Sequence, residues 1–408
     1  MYRVIRRKFF VSAGAAAAGL SSSLGRAADV PGKHILLRSS WQTENIGDIA
    51  HTPGMLALLE KQRPNDRVTL WPGGLSTAVE KLLMTRFPKL VVARTKADQE
   101  AALRGCDFFL HGSGPGLVGR KETELARIAG KAYGFGGITL SDDELKNNRE
   151  LLAGAKFVFT RDTDSLNALR NAGIKGPKTA FGPDATFALD LHDDPAADKL
   201  LKDLRLEQGE FLCAVPRLRW TPYWEIRPGQ VKPNAERIAV NKEFADRDHA
   251  KMREAIVAWV TEFKQKVFLV PEMSYEVPLL KPLLYDPLPQ KIKQHVAVLD
   301  RYWLTAEAAS VYAKAAAVVS FEMHSPIIAI ANGTPAVHLR QPTDTRKGQM
   351  WRDIGLDQWI FEIDKSTGKE IADRLVEIGK NLPAARKATA KARSFAREAM
   401  AAMISEIE

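Results

Sequence analysis

Short apolar runs alternate with longer amphipathic stretches along most of this chain. In the first half, runs at 34–38, 67–71, 90–93, 107–111 and 156–160 predict strands. Between them, residues within 49–62, 76–86, 97–104, 120–131 and 161–172 have helical spacing. The second half repeats the pattern, with strands expected at 211–215, 266–270, 295–299, 316–320, 335–339 and 359–363. Helices are expected there at about 248–265, 305–314, 326–332 and 368–381. Strands that alternate with helices build parallel sheets through right-handed crossovers, so the fold class is α/β. The alternation is too long for one sheet and one core. The polar stretch near 190–208 divides it into domains at 33–195 and 208–366, followed by C-terminal helices over 367–408.

Two segments depart from the pattern. Residues 216–247 are rich in Trp, Tyr, Pro and Arg, and read as an ordered insertion or long loop at the rim of the second domain. The tail from 384 onward is rich in Ala, Arg, Lys and Met at helical spacing, which predicts a final helix covering an apolar surface.

Charge changes the picture at the N-terminus. The chain of 408 residues carries a formal charge of +10. Half of it comes from Arg3, Arg6, Arg7, Lys8 and Arg26, in a segment without acids. Arg6-Arg7 precedes an Ala/Gly-rich apolar stretch and the small-residue site around Ala27. Residues 1–27 therefore read as a twin-arginine export signal, with an extracytoplasmic destination or a membrane tether if uncleaved. The apolar stretch is too short and polar to serve as a transmembrane span. The remaining positive charge suits a small anionic ligand; no dense Lys/Arg patch interleaved with aromatics points to nucleic acid. Cys106 and Cys213 lie in or beside apolar runs and read as buried thiols. No Cys or His spacing suggests a metal site, and no cofactor is expected.

Candidate chemistry sits after predicted strands. His324 precedes an expected helix, with Ser325 as its cap and Pro326 at the first position. That is where an open α/β sheet binds ligands, and a helix start attracts anions. If the chain is extended there, Glu322 shares a face with His324 and favours its protonated form. Asn45, Gly47 and Asp48 follow the first strand; Asp48 either caps the next helix or, with Asn45, binds a sugar-like ligand. Gly112, Ser113 and Gly114 open a glycine-rich loop that lets the backbone approach a ligand. Arg161 either reaches an anion or pairs with Asp162 to hold sheet to helix. Asp184 reads as the cap of a short segment. Arg217 and Arg219, with Trp220, Tyr223 and Trp224 nearby, suit an anionic substrate and a stacked sugar face.

These elements, in this order, resemble the polysaccharide pyruvyl transferase family. The resemblance rests on Asn45-x-Gly47-Asp48, the loop Gly112 to Gly116, Gly134 to Gly137, Arg161-Asp162 with Ser165, Pro183-Asp184 with Phe187, and His324-Ser325 with Gly333 and Pro335. It implies two Rossmann-like domains with parallel sheets facing across a cleft, as in two-domain (GT-B-like) glycosyltransferases. It also implies transfer of a pyruvyl group from phosphoenolpyruvate to a sugar diol as a ketal. Such chemistry needs cationic groups on the donor and an acid for the enol carbon. The resemblance casts His324 as that acid, with Arg217, Ser325 and Glu322 on the donor side. Asn45, Asp48, Gly112, Ser113, Gly114 and Arg161 would face a saccharide acceptor. The family commonly has Arg where this chain has Glu322, which sets an acid against an anionic donor. A glycan-binding relative without catalysis and a transferase using an activated sugar are the alternatives.

Overall fold

The computed structural model describes residues 32–39 and 41–408; the expected export signal lies outside them. Seven strands form the first sheet: β1 (His34–Ser39), β2 (Arg67–Pro72), β3 (Val91–Val92), β4 (Phe108–His111), β5 (Ala132–Ile138), β6 (Phe157–Thr160) and β7 (Lys178–Phe181). Their order is β3-β2-β1-β4-β5-β6-β7, and every pair is parallel. Six strands form the second: β8 (Phe211–Val215), β9 (Lys266–Leu269), β10 (Val296–Val298), β11 (Ala317–Ser320), β12 (Ala336–Arg340) and β13 (Ile360–Glu362). Their order is β10-β9-β8-β11-β12-β13, again all parallel. Both sheets reverse their winding beside the first strand, between β1 and β4 and between β8 and β11. The crevice at the carboxyl ends of such strands is where this architecture holds ligands.

Two strands escaped the hydrophobic pattern. β5 contains Gly134, Gly136 and Gly137, which weaken its β signal. A Cβ on Gly134 would lie 2.6 Å from the Phe157 ring, so glycine makes room for an aromatic on β6. Gly137 has φ +76° where the β5–β6 register shifts, a conformation side chains disfavour. The short edge strand β7 is only half-buried and lacks an apolar run.

Two helices also differ from expectation. The helix Ala235–Phe263 begins inside the presumed insertion, where the Asn234 side chain accepts the Arg237 N–H at 2.9 Å. Its first residues are exposed, so no apolar period announces them. The polar stretch between the halves holds the helix Asp194–Leu204, capped by Asp193 with Pro195 near its start.

Residues 32–408 pack as one unit. One core runs from Ile35 and Leu59 through Phe187 to Val318 and Met403, and a second gathers Leu36, Phe109, Phe135 and Val158 of the first sheet. The final helix, Leu382–Ile404, returns to the first half and lays Met403 beside Gly136. Both cysteines are buried and unpaired. No helix among the described residues is long and apolar enough to cross a membrane.

Candidate functional site

β11 delivers the chain to the helix His324–Ala331, and His324 is its first residue. Met323 precedes it without a side-chain cap, and Ser325 is not the cap the sequence suggested. Ser325 lies inside the first turn, where its Oγ accepts the Tyr312 hydroxyl at 3.0 Å. The cap comes from Glu272, just beyond β9. Its Oε2 accepts the Ser325 N–H at 2.5 Å, and its Oε1 stands 3.2 Å from His324 Nδ1. The negative charge attracted by this helix start is therefore the chain's own carboxylate.

The N-terminal half meets this corner with the helix Ile46–Gln62. Asn45 is its cap: Oδ1 accepts from the N–H of Gly47 at 2.6 Å and of Asp48 at 3.3 Å, and Nδ2 reaches Glu272 at 3.4 Å. Asp48 thus sits in the first turn instead of capping. Gly47 is forced by packing, because a Cβ there would lie 2.1 Å from His324 Cγ. One turn along, His51 stands edge-on to His324, with ring centroids 5.1 Å apart. Its Nδ1 faces Ser113 Oγ at 2.6 Å and Asp184 Oδ1 at 2.9 Å.

Asp184 joins the arrangement. Arg161 Nη1 donates to its Oδ2 at 2.7 Å, and His324 Nε2 lies 3.7 Å from the same oxygen. Arg161 is thus paired with Asp184; Asp162 instead caps the helix Thr163–Asn171. Arg161 also donates to Thr139 at 2.7 Å, so its Nε and Nη1 are both taken within the protein. Gly112 and Gly114 face the chain itself: Cβ atoms there would crowd Arg38 and Ser39, and Trp41, respectively. Ser113 is the member of this loop that enters the cluster.

Charge is concentrated in these buried groups. Burial alone would drive His324 towards its neutral form, yet Asp184 and Glu272 outweigh it and lift the imidazole to about 9. His51, together with His324 and Arg161, holds Asp184 well below the usual carboxylate range, and His324 with the Ser325 N–H holds Glu272 below it, both against the effect of burial.

The expected donor side is built differently. Glu322 does not face His324; the chain bends after β11, and its carboxylate lies 3.0 Å from Arg217 Nε. Arg217 Nη1 also meets Asp344 at 2.6 Å and Gln341 Oε1 at 3.1 Å. Arg217, expected to grip an anion, is enclosed by the protein's own acceptors. Burial pushes the Glu322 and Glu276 carboxyls up. Asp344 is pulled down despite burial, chiefly by Arg217. Arg219 is likewise taken, by Asp248 at 2.8 Å and Asp364 at 2.5 Å. The aromatic segment closes the rim: Arg227 donates to Gln42 at 2.8 Å, and Gln42 donates to both Asp48 and the Tyr223 hydroxyl.

His51, Glu272 and Asp344 were not singled out from sequence, and Asp184 was read only as a cap. His51 was the most accessible omission, since residues three apart share a helix face with Asp48.

A sequence profile described as polysaccharide pyruvyl transferase matches residues 45–341. The chain belongs to this family. The matched span opens at the helix cap Asn45 and closes at Gln341, the partner of Arg217, so it contains most of the cluster. No curated protein matches. Among solved structures, Anabaena HepE in complex with UDP and glucose superposes with a TM-score of 0.56 at 13% identity, covering 92% of this chain and 98% of that one. E. coli ADP-heptose lipopolysaccharide heptosyltransferase II gives 0.51 at 13% identity, with 86% and 99% covered. The UDP-GlcNAc 2-epimerase of Neisseria meningitidis gives 0.55 at 11%, with 91% and 98% covered. These likenesses show that this pyruvyl transferase family member has the two-domain GT-B-like fold.

Proposed function

We propose that this chain transfers the enolpyruvyl unit of phosphoenolpyruvate to a saccharide diol, with His324 as the proton donor. The observation that carries the reading is the placement of His324. Its ring is oriented at Nδ1 by Glu272, while Nε2 has no hydrogen-bond partner and stands where the two sheets' carboxyl ends meet. A proton on that nitrogen is available to the enol carbon as positive charge develops on the neighbouring carbon. Asp48 lies beside His324 at the start of the helix from the other half, and acceptor hydroxyls would approach there; the Asn45 amide is taken up as that helix's cap. Lys347, whose charge acts on both Glu322 and Asp344, is a cation that could meet the donor. The export pattern at the N-terminus makes an extracytoplasmic polysaccharide the acceptor class. The test is phosphate release from phosphoenolpyruvate in the presence of acidic and neutral bacterial polysaccharides. Release by the wild type that is lost in His324→Gln supports the reading, and unchanged release in that variant overturns the assigned role.

A second reading follows from Arg217. With Glu322 and Asp344 already on its guanidinium, an incoming trianion must displace internal ion pairs. A family member that binds saccharide through the 220–227 rim without donor chemistry fits that feature. It requires glycan binding that survives His324→Gln and weakens in Trp220→Ala.

A further inference from the structure

His51 and His324 show the same local pattern. In each ring Nδ1 faces a carboxylate: Asp184 at 2.9 Å for His51 and Glu272 at 3.2 Å for His324. In each ring Nε2 is buried and has no hydrogen-bond partner. A ring that donates Nδ1–H to a carboxylate presents the Nε2 lone pair, which is how metal-bound histidines are oriented. One ring nitrogen of each histidine and a carboxylate oxygen of Asp48 lie within 4.8 Å of one another. Asp48 has an outer partner as well, because Gln42 donates to its Oδ2 while Oδ1 lies 3.9 Å from His51 Nε2. All three candidate ligands are thus supported from behind, and Asp184, the support of His51, also lies 3.7 Å from His324 Nε2, too far for a hydrogen bond.

We propose that Asp48, His51 and His324 form a binding site for one divalent transition-metal cation. Two imidazoles and one carboxylate suit zinc, iron, cobalt or manganese better than magnesium or calcium, which prefer oxygen. Bonds of about 2.0–2.1 Å would draw the donor atoms closer together than they stand in this structure. Three protein ligands leave coordination positions open, and neighbouring hydroxyls of a saccharide can fill them. The site spans both halves, since Asp48 and His51 follow β1 whereas His324 follows β11. Sequence spacing hid it for that reason. The proposal goes beyond the transfer reading: cation and proton are alternative occupants of His324 Nε2, so the loaded chain would not protonate the donor.

The test uses the full chain, stripped with a chelator and titrated with Co²⁺ and Zn²⁺. Calorimetry gives the stoichiometry, and the visible bands of Co²⁺ report nitrogen ligation. One cation per chain is expected. Asp48→Asn and His51→Gln should each weaken binding by at least about a hundredfold, and Gln42→Ala, which touches only the outer side of Asp48, by about tenfold. Asp364→Asn, whose side chain pairs with Arg219 and Arg247, should bind the cation as the wild type does. Absence of binding by the folded wild type, or binding unchanged in Asp48→Asn with its fold verified by circular dichroism, would overturn the proposal. Because the readout is cation binding, failure of phosphoenolpyruvate turnover leaves the result unaffected.

Discussion

On the C-terminal side of the crevice Arg217 is enclosed by Glu322, Asp344 and Gln341, and Arg219 by Asp248 and Asp364. Where the two halves meet, His51 and His324 each keep Nε2 without a partner, although both rings are buried. The first region pairs its charges, although Arg217 Nε and Glu322 Oε1 meet as an ion pair without a hydrogen bond; the second leaves two ring nitrogens without hydrogen bonds, at a cost of about 1–3 kcal/mol for each such group. A closed ion-pair network resists an incoming anion, because binding must first break internal contacts. Unpartnered nitrogens gain from an incoming ligand. The contrast moves the centre of chemical interest from the arginines to the histidine corner.

Breaking the closed network should produce the largest effect. Arg217→Met leaves Glu322 and Asp344 buried without their cation, and should cost about 3–5 kcal/mol of stability in denaturant unfolding. Glu322→Gln makes the opposite change: Arg217 keeps Asp344 and regains a donor for an external anion. Calorimetry should then show phosphoenolpyruvate binding about tenfold tighter than wild type, a gain of about 1.4 kcal/mol. Equal affinity in the two proteins would mean that Glu322 does not obstruct the donor.

Each half also contains a histidine buried as the neutral form. Burial lowers His111 to about 4, and it lowers His249 to about 4 as well. Both sit in their own half's framework, outside the histidine corner. Between pH 6.5 and about 4 the unfolded chain binds protons that these two rings refuse, so stability falls as pH falls through that window. The shift corresponds to about 3 kcal/mol per ring at its acidic end. Unfolding measured from pH 7 to 4 should show a shallower decline in His249→Gln than in wild type. An identical slope would mean that His249 is not held neutral by its surroundings.

A smaller effect should come from closing the space between the halves. Gly47→Ala places a Cβ against His324, so the ring or the helix Ile46–Gln62 must move. Overpacking of this kind costs about 1–3 kcal/mol. It should also weaken any ligand of His324 more than it weakens the fold, which comparing unfolding with cation titration separates.

How much of this was legible depends on distance along the chain. β1, β8 and β11 announce themselves as apolar runs, because a strand buried on both faces must be apolar throughout. β5 does not, since its glycines serve the neighbouring aromatics. His324 was visible as a residue between a strand and a helix start. Its partner Glu272 was not: the two are 52 residues apart and meet only because β9 and β11 flank β8. Arg217 and Asp344 are 127 residues apart, so the arginine looked free when it was already paired. Residue type and local context suggest what a side chain can do; the topology decides whether its charge is already used.

Arg219 offers the finest form of the comparison, because its two carboxylates differ in exposure. Asp248 is buried and takes both Nε at 2.8 Å and Nη2 at 2.9 Å, the two-pronged geometry that suits guanidinium. Asp364 has 39% of its side chain exposed, meets Arg219 through one nitrogen and shares that oxygen with Arg247. Water screens such a pair, and exposed ion pairs contribute at most about 1 kcal/mol. Asp364→Asn should therefore shift unfolding by less than that amount, and the shift should vanish as salt is raised towards 1 M. Asp248→Asn should give a larger loss that salt does not remove. If the two variants proved equal and equally sensitive to salt, burial would not be what distinguishes the closed side of this crevice.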